Sequence, residues 1–254
     1  MKISLITACF NGAGTLRTAL ESVLAQRGVD LEYIVIDGGS TDGTAGLLKE
    51  FEPRFASAGK DFRWTSEPDR GFYDAINKGI AQATGDVVGI LNSDDLFESP
   101  DTLAHMASAF SPDIDAVYAD IRFVRDDLET NIRRYSARHW RPWMHNWGYM
   151  PPHPSVYARR RLFGSLGGYK LGYRISADFE LMVRFFCRNR IRTAYLPECV
   201  VRMRMGGMST KNWRGTLLLN RENVRANREN GYFCILPMMV PKYAFKIWGF
   251  VFRK

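Results

Sequence analysis

The sequence has few of the residues that build metal–thiolate centres or disulfide frameworks. Its 254 residues include only four cysteines and four histidines. The cysteines are far apart, with no C-x-x-C pair and no histidine at zinc-ligand spacing: Cys9, Cys187, Cys199 and Cys234. This argues against a structural zinc site and against a disulfide-stabilised secreted domain. We therefore expect reduced thiols in a cytoplasmic protein.

Long hydrophobic runs are also missing at both ends. The opening MKISLITACFNG holds one lysine and a short apolar stretch that stops at Asn11 and Gly12 without a cleavage-like site. We therefore expect no signal peptide and a first strand that starts almost at Met1. Segment 231–254 is interrupted by prolines and lysines, which is atypical of a membrane-spanning helix.

The end of this segment combines basic and apolar residues in a helical spacing. If the part after Pro241 is helical, Lys242, Lys246 and Arg253 share one face, with aromatic and aliphatic residues around the rest. A basic face beside an apolar surface is typical of a helix that lies in a membrane interface. The alternative is a helix packed on the protein itself or on a second copy.

Charge is divided unevenly along the chain, which has a formal net charge of +8. Residues 1–127 contain 11 Lys and Arg against 21 Asp and Glu, whereas residues 128–254 contain 24 against 6. The basic half includes RRYSARHWRPW at 133–143 and YARRRLF at 157–163. Such stretches attract the phosphates of nucleic acids, anionic lipids or pyrophosphate-linked substrates. The two halves therefore predict two different tasks.

Strand and helix patterns alternate through the acidic half. Apolar, strand-forming runs are separated by amphipathic helical spacings. The predicted strands are 2–8, 31–37, 62–67 and 86–92, and the predicted helices are 15–26, 44–51 and 72–84. Repeated strand–helix units indicate a mostly parallel sheet with right-handed crossovers. Beyond this half, a further helix is predicted at 176–189.

Three familiar binding motifs are absent. NGAGTLR follows the first strand, but Arg17 stands at the third glycine position of the dinucleotide motif. No P-loop signature occurs. DDLFES lacks the alternating acids and central glycine of an EF-hand loop. A dinucleotide enzyme, a P-loop enzyme and an EF-hand protein are therefore all disfavoured.

Two adjacent acids, Asp94 and Asp95, end the apolar run GDVVGILNSDD. Ligands of open α/β sheets collect beyond the carboxyl ends of such strands. Paired carboxylates suit a hard divalent cation that leaves its other positions to substrate phosphates. From this stretch alone, a helix cap at Asp94 is an equal alternative.

Three stretches together closely resemble family 2 glycosyltransferases of the GT-A fold, especially bacterial enzymes that build surface polysaccharides. They are IVIDGGSTDGT at 34–44, SEPDRGFYDAINKGIAQATGDVVGILNSDD at 66–95 and ADFELMVR at 177–184. The resemblance implies an α/β, mostly parallel sheet with helices on both faces. We expect a GT-A domain at 1–215, divided into a nucleotide-binding half 1–120 and an acceptor half 121–215. A basic amphipathic extension, 216–254, would follow.

The resemblance also implies a donor-nucleotide site. Asp37, at the end of the second strand, corresponds to the contact with base and ribose, and Gly38 departs from the second acid that the family often has there. The residues that resemble the nucleotide-cradling first loop are Thr7, Ala8, Phe10 and Asn11. Arg70 corresponds to a basic residue near the nucleotide. Its alternative is a surface pair with Asp69.

NSDD stands where the family has its metal-binding motif. Ser93 takes the first position, so the match is to a shortened Asp-Asp form, and Asn92 belongs to the same donor site. The resemblance implies that Asp94 faces the ribose or a metal-bound water and that Asp95 ligates Mn²⁺ or Mg²⁺ at the donor pyrophosphate. A divalent cation neutralises the charge that develops on a leaving diphosphate.

Transfer also requires a base that takes the proton of the acceptor hydroxyl. Asp178 matches the family's catalytic position, and Glu180 is the second candidate. His153 lies in a region that lines the acceptor or diphosphate in relatives, and it is equally interpreted as a structural histidine. Gly207 and Ser209 resemble a glycine-bearing loop that folds over the diphosphate, although a histidine common before those glycines is absent.

We therefore expect an inverting, metal-dependent transferase of the hexosyltransferase type, with a UDP-sugar as donor. The expected acceptor is a hydroxyl of a lipid-linked or oligosaccharide substrate in bacterial exopolysaccharide, capsule or O-antigen synthesis. The expected location is peripheral, on the anionic inner face of the cell membrane, with one sugar moved per encounter. A scaffold with a degenerate transferase fold would explain Gly38 and the missing histidine. A nucleic-acid-binding protein would explain 133–143 but leaves the acids without a role, so no nucleic-acid partner is expected.

Overall fold

The computed structural model describes residues 1–205 and 213–243. The chain forms two compact units. The first consists of Met1–Arg138, Pro151–Tyr169 and Arg192–Met205, and the second of His139–Met150, Lys170–Ile191 and Gly206–Lys254. The predicted division into a GT-A domain, 1–215, and an extension, 216–254, remains a prediction. The functional halves 1–120 and 121–215 remain predictions.

The first unit is built on one mixed sheet. Its strands within the described residues are β1 Lys2–Cys9, β2 Asp30–Asp37, β3 Asp61–Ser66, β4 Val87–Ile90, β5 Leu96–Phe97, β6 Ala116–Val124, β7 Asn131–Tyr135, β8 Tyr157–Arg159 and β9 Thr193–Arg204. Their order is β3-β2-β1-β4-β8-β6-β9-β5, and β7 pairs with β6. The helices of this unit are α1 Leu16–Leu24, α2 Thr44–Ser57, α3 Phe72–Gln82, α4 Thr102–Ser108 and α5 Arg160–Leu166.

The first four strands of that order form a parallel block. β1 pairs with β2 and with β4, and β2 pairs with β3, all in parallel. The central strands β1, β2 and β4 are buried almost throughout, as expected for strands covered on both faces. Helices α1, α2 and α3 connect the strands of this block. The predicted α/β alternation is therefore confirmed.

Helix α2 is longer than the predicted 44–51. It runs to Ser57 and contains Pro53, which removes one helical hydrogen bond. Phe51 and Phe55 are fully buried on the core side of the helix. The ring of Phe55 stacks on Phe62 of β3 with centroids 4.4 Å apart. This packing stabilises the extra turns beyond the proline.

The other half of the sheet combines both strand directions. β6 pairs with β9 in parallel, whereas β8 is antiparallel to β4 and β6. The short strand β5 is antiparallel to β9, with Leu96 opposite Arg202 and Phe97 opposite Val201. Because β5 follows the two acids directly, this pairing brings Asp95 beside the end of β9.

The second unit is helical. It contains α6 Ala177–Met182, which continues as a π-helical turn Val183–Arg188, and α7 Trp213–Glu229. Short 3₁₀ turns span Pro142–Trp147 and Leu236–Met239. The carboxylate of Glu222 on α7 accepts hydrogen bonds from three successive backbone N–H groups, those of Arg174, Ile175 and Ser176, at 2.8–2.9 Å. Helix α7 therefore fixes the segment that leads into α6.

Lys242 differs from its predicted position on an exposed basic face. Its side chain is buried, close to Gly148, where an added Cβ would lie 2.9 Å from the Lys242 Nζ. Lys246 and Arg253 lie outside the described residues. Within 1–205 and 213–243, no helix combines the length and apolar character needed to cross a membrane.

A buried carboxylate, Glu32, links the amino-terminal ends of the parallel strands. Its side chain is fully buried and pairs with Lys2 at 3.2 Å and with Arg63. Ser4 and Thr84 donate hydroxyl hydrogen bonds to it, and the Gly85 N–H donates at 2.9 Å. Burial opposes ionisation, but the hydrogen bonds from Ser4, Thr84 and Gly85 outweigh it and lower the pKa of Glu32 to about 2.

We predict that Glu32→Gln destabilises the protein at neutral pH by ~3 kcal/mol, since the folded pKa of about 2 lies below the ordinary 4.5. A depressed folded pKa stabilises fully above pH 4.5, and this contribution is lost as pH falls towards 2. The difference in unfolding free energy between parent and variant should therefore shrink over that interval. Urea unfolding at several pH values measures it.

Glu50→Gln is the matched control for this prediction. Glu50 pairs with Arg17 at 2.6 Å, but both side chains are about half exposed. Exposed ion pairs contribute roughly 0–1 kcal/mol. Equal destabilisation by the two variants would contradict the inference that the buried carboxylate of Glu32 stabilises the fold.

Candidate active site

The candidate site lies in the first unit, at the carboxyl ends of β1, β2, β3 and β4. The loops after β1 and β2 are joined by hydrogen bonds. The Asn11 N–H donates to Ser40 Oγ at 2.7 Å, and the Asn11 side-chain carbonyl accepts from the Thr41 N–H at 3.0 Å. Asn11 has a positive φ of 50°, a conformation that asparagine tolerates. The two loops therefore form one preorganised rim.

Asp37 is the hub of that rim. Its carboxylate is completely buried at the end of β2. One oxygen accepts from the Ser40 hydroxyl and from Cys9 Sγ, and the other accepts from the Ser40 N–H at 3.1 Å and the Ser66 hydroxyl at 2.5 Å. The structure thus places the predicted base-and-ribose contact beneath the loop, where it holds Ser40 in position.

The predicted first-loop residues divide into two groups. Thr7 and Ala8 are buried within β1, and the Thr7 hydroxyl donates to the Leu91 carbonyl at 2.8 Å and accepts from the Tyr33 hydroxyl. Phe10 and Asn11 follow the strand, and the Phe10 ring is 66% exposed. Phe10 therefore presents an accessible aromatic side chain at the sheet edge.

Gly38 lies beside a carboxylate from a different loop. A Cβ added at Gly38 would lie 2.7 Å from Oδ2 of Asp69 and 3.3 Å from Cδ2 of Phe10. The other oxygen of Asp69 accepts from the Gly71 N–H at 2.7 Å. Asp69 thus occupies the space that a side chain at position 38 would need. The sequence contains an acid at this place, but it comes from the loop after β3.

Arg70 does not form the surface pair with Asp69 that was its alternative interpretation. Its guanidinium pairs instead with Asp74 of α3 at 2.9 Å, and its backbone N–H donates to the same carboxylate. The Arg70 side chain is 75% exposed. It therefore remains accessible at the rim of the site.

Asp95 is a buried acid whose hydrogen bonds and neighbouring Arg204 do not offset the cost of its burial. Its residue is 1% exposed, and its carboxylate accepts from the Asn92 side-chain amide at 2.7 Å and from the Arg204 N–H at 3.2 Å. Burial first, and then the charge of Asp94, raise the pKa of Asp95 to about 8. Additional positive charge beside Asp95 would favour its ionised form.

The surroundings of Asp94 exclude its interpretation as a helix cap. Strand β5 follows the two acids, and the next helix, α4, begins at Thr102 with Asp101 as its N-cap. The Asp94 carbonyl accepts a hydrogen bond from Arg204 Nε at 3.4 Å. The backbone of the turn is thus fixed from β9.

The donor set fits a divalent cation shared with a substrate. Two adjacent carboxylates, one of them buried with a raised pKa, favour a doubly charged ion. In the described part of the chain, no group of three or more His, Cys, Asp or Glu side chains could hold a metal alone. Asp94 and Asp95 would therefore leave coordination positions to other oxygens, such as those of phosphates.

The second unit distinguishes the two candidates for the base. Glu180 is fully buried and pairs with Arg184 at 2.8 Å and Lys170 at 3.0 Å, and it also accepts from the Asn230 amide. Burial opposes its ionisation, but Arg184 and Lys170 lower the pKa of Glu180. Asp178 is half-buried in the first turn of α6 and accepts the Phe179 N–H at 2.8 Å. Asp178 is the more accessible carboxylate, and Glu180 is structural.

His153 belongs to an aromatic cluster of the first unit. It is buried, and its Nε2 lies 2.7 Å from the hydroxyl of Tyr169. The Tyr169 ring stacks on the ring of Tyr73 of α3, with ring centroids 5.7 Å apart. Asn77 makes two hydrogen bonds with the Tyr169 backbone, at 2.7 and 2.9 Å. These contacts support the interpretation of His153 as a structural histidine.

Two site residues were not found from the sequence, Arg204 and Asp69. The N–H of Arg204 reaches Asp95 through strand pairing across 109 positions, for which a single sequence carries no signal. The sequence suggests Asp69 only as a surface partner of Arg70. The predicted residues Gly207 and Ser209 lie outside the described residues.

Comparisons with known proteins agree with this arrangement. The model of "Glycosyl transferase family 2" matches residues 4–175. An uncharacterized glycosyltransferase of Mycobacterium tuberculosis is 35% identical over 193 residues, which are 72% of this chain and 68% of that protein. A PGL/p-HBAD biosynthesis glycosyltransferase of Mycobacterium bovis is 32% identical, over 81% of this chain and 78% of its own. The succinoglycan biosynthesis protein ExoO of Rhizobium meliloti is 28% identical, over 82% of this chain and 62% of that protein.

Solved structures show the same fold. The mannosyltransferase PcManGT from Pyrobaculum calidifontis, in complex with GDP-Man and Mn²⁺, has a TM-score of 0.64 at 19% identity and covers 98% of this chain and 70% of its own. Staphylococcus aureus TarS 1–349, in complex with UDP-GlcNAc, has a TM-score of 0.62 at 16% identity. The match covers 89% of this chain and 68% of the TarS chain. The predicted GT-A fold is thus confirmed. With the family match over most of its length, the chain belongs to glycosyl transferase family 2.

Proposed function

We propose that this glycosyltransferase is an inverting, metal-dependent enzyme that moves a hexosyl group from a nucleotide-sugar to an acceptor hydroxyl. The observation that carries the proposal is the buried acid Asp95, whose pKa is raised to about 8 beside Asp94 at the carboxyl edge of the sheet. A buried carboxylate whose charge is only partly compensated is costly. A site that retains such a buried carboxylate is suited to binding a cation.

The proposed donor is a UDP-sugar. Its base would lie against the exposed ring of Phe10, beside the Oδ2 atom of Asp69. A carboxylate accepts hydrogen bonds only, so it favours a base edge that carries an N–H group, as uracil does. Guanine also carries such groups, and GDP is therefore the second candidate. Arg70 follows Asp69 in the chain, and its exposed guanidinium is the proposed contact with a donor phosphate.

Asp69 also bears on the alternative of a non-catalytic scaffold. The missing second acid at Gly38 was an argument for degeneration. Because Asp69 fills the space beside Gly38, an acid is present there without a side chain at position 38. The departure from the family pattern therefore supports a rearranged site rather than a lost one.

Asp94 and Asp95 are the proposed holders of Mn²⁺ or Mg²⁺. When bound, the ion would neutralise the charge on the departing diphosphate. Asn92 and the Arg204 N–H orient the Asp95 carboxylate towards this task, since they bond to its two oxygens. The PcManGT complex contains Mn²⁺, which supports the same choice here.

Asp178 is the proposed catalytic base. It would take the proton from the acceptor hydroxyl, whose oxygen attacks the anomeric carbon as the bond to the diphosphate breaks. Attack from the opposite face inverts that carbon in one step, through a transition state with oxocarbenium character. Glu180 is held by Arg184 and Lys170 and would position α6.

The proposed acceptor is a lipid-linked or oligosaccharide substrate of bacterial surface-glycan synthesis. Relatives named for PGL/p-HBAD and succinoglycan biosynthesis support this class. The proposed location is the cytoplasmic face of the cell membrane. The four cysteines, all within the described residues, are unpaired, as in a reducing compartment.

Replacing Asp178 tests the proposed base. Asp178→Asn should lower turnover at least ~100-fold, because the amide cannot accept the hydroxyl proton. UDP affinity should stay within about twofold, since the residue is assigned no donor contact. Product formation from a panel of UDP- and GDP-sugars, with calorimetry of UDP binding, measures both. Asp113→Asn, at an exposed acid of the first unit, is the control. Unchanged turnover by Asp178→Asn would contradict the assignment.

Replacing Gly38 tests the proposed base pocket. A Cβ in Gly38→Ala would displace Asp69 and Phe10, which are side chains that can move, so UDP should bind at least about tenfold more weakly with little loss of stability. The control is Gly46→Ala in α2, where the Cβ meets nothing within 4 Å. This control should stabilise the protein by up to ~1 kcal/mol and leave UDP binding unchanged. Equal binding by parent and Gly38→Ala would place the base elsewhere.

A further inference from the structure

One face of helix α7, in the second unit, is lined by arginines. Arg221, Arg225 and Arg228 follow one another at spacings of four and three, which places them on the same side of the helix. All three are exposed, whereas Glu222, Asn223, Val224, Ala226 and Asn227 are buried. The basic face therefore points away from the packed side of this helix.

The segment after α7 exposes large apolar side chains next to these arginines. Phe233 is 77%, Ile235 37%, Leu236 41% and Val240 61% exposed. Residues 231–243 contain no Asp or Glu. Arg228 Nε donates to the Cys234 carbonyl at 2.9 Å, which fastens this segment to the helix. We call these three arginines and these four exposed apolar side chains the α7 patch.

A groove of about 450 Å³ crosses the α7 patch. Its lining combines both kinds of residue: Arg221, Val224, Arg225, Arg228, Glu229 and Leu236. Glu229 is neutralised by Arg225 at 2.6 Å and by Lys170 at 2.9 Å. Arg221 has no hydrogen-bond or ion-pair partner in 1–205 and 213–243, and Arg228 bonds there through Nε alone. The groove therefore retains donors for external anions.

We propose that the α7 patch docks on the anionic surface of a lipid bilayer. The guanidinium groups of Arg221 and Arg228 bind lipid phosphates, while Phe233, Leu236 and Val240 enter the boundary between head groups and acyl chains. This inference rests on the proposed function, because docking holds the enzyme at the surface where a lipid-linked acceptor is presented. It assigns the membrane contact to α7 and 233–240, whereas the sequence placed it on a face that includes Lys242.

The composition of the α7 patch favours a bilayer over other anionic or apolar partners. A groove for single-stranded nucleic acid presents aromatic rings on which bases stack. Here the exposed apolar residues are mainly aliphatic, and Phe233 is the one aromatic side chain among the four. A symmetric contact with a second copy would place the arginines of the two copies close together, which is unfavourable.

Binding of the full chain to vesicles tests this proposal. Parent protein should cosediment with vesicles that contain phosphatidylglycerol and far less with pure phosphatidylcholine. Arg221→Gln/Arg228→Gln should weaken binding to the anionic vesicles about 20-fold, since each arginine near such a surface contributes roughly a factor of five. Leu236→Ser/Val240→Ser should also weaken it, because inserted apolar area is lost.

The matched control is Arg161→Gln/Arg192→Gln, which removes two charges from side chains that are each 67% exposed in the first unit. It should bind within about threefold of parent. Equal binding by the Arg221/Arg228 variant and this control would overturn the proposal. So would preferred binding to single-stranded nucleic acid, or dimerisation lost in the Leu236/Val240 variant, because each identifies a different occupant.

Calorimetry with UDP separates this inference from the proposed function. Both groove variants should bind UDP as parent does, since the α7 patch is assigned no donor contact. If the protein does not bind vesicles but still transfers sugar to a water-soluble acceptor, only the docking inference is overturned. Vesicle binding that persists in a protein without transferase activity overturns the proposed function alone.

Discussion

The structure depends on how its buried carboxylates are compensated. Burying an ionised group is costly unless charges or hydrogen-bond donors replace water. Glu32 in the first unit and Glu180 in the second are each surrounded by cations and donors, and the pKa of each is lowered. Asp95 receives two hydrogen bonds and lies near Arg204, but burial and the charge of Asp94 outweigh these and raise its pKa to about 8. The first two acids stabilise the fold, whereas Asp95 is the acid that we propose binds a cation.

The rest of the candidate site is arranged around that constraint. β5 pairs with β9, and this brings the Arg204 N–H to Asp95. The Asp37 carboxylate accepts hydrogen bonds from Ser40 and Ser66, and these bonds fix the loop after β2. Phe10 stays exposed beside that fixed loop. A rigid rim with one accessible ring and one partly compensated buried acid is suited to a ligand that combines an aromatic base with a charged tail.

Local patterns predicted the parallel block and the position of its acids, because apolar runs and turn residues act over short distances. Long-range packing decided the features that were missed. Helix α2 continues past Pro53 because Phe55 stacks on Phe62. Asp69 lies next to Gly38 because two loops meet there. Lys242 is buried near Gly148, which its helical spacing did not reveal. A choice between Asp178 and Glu180 required the partners of Glu180, since both acids fit the pattern of a first helical turn.

The most direct test of the central claim is calorimetric titration of UDP into parent and Asp95→Asn, each with and without Mn²⁺. The amide in Asp95→Asn keeps the size of the carboxylate but cannot carry its charge. We predict that parent binds UDP at least about tenfold more tightly with Mn²⁺ than without and that this gain disappears in the variant. UDP binding that is independent of Mn²⁺, or a Mn²⁺ gain that persists in Asp95→Asn, would contradict the assignment of Asp95 as the acid kept for a cation.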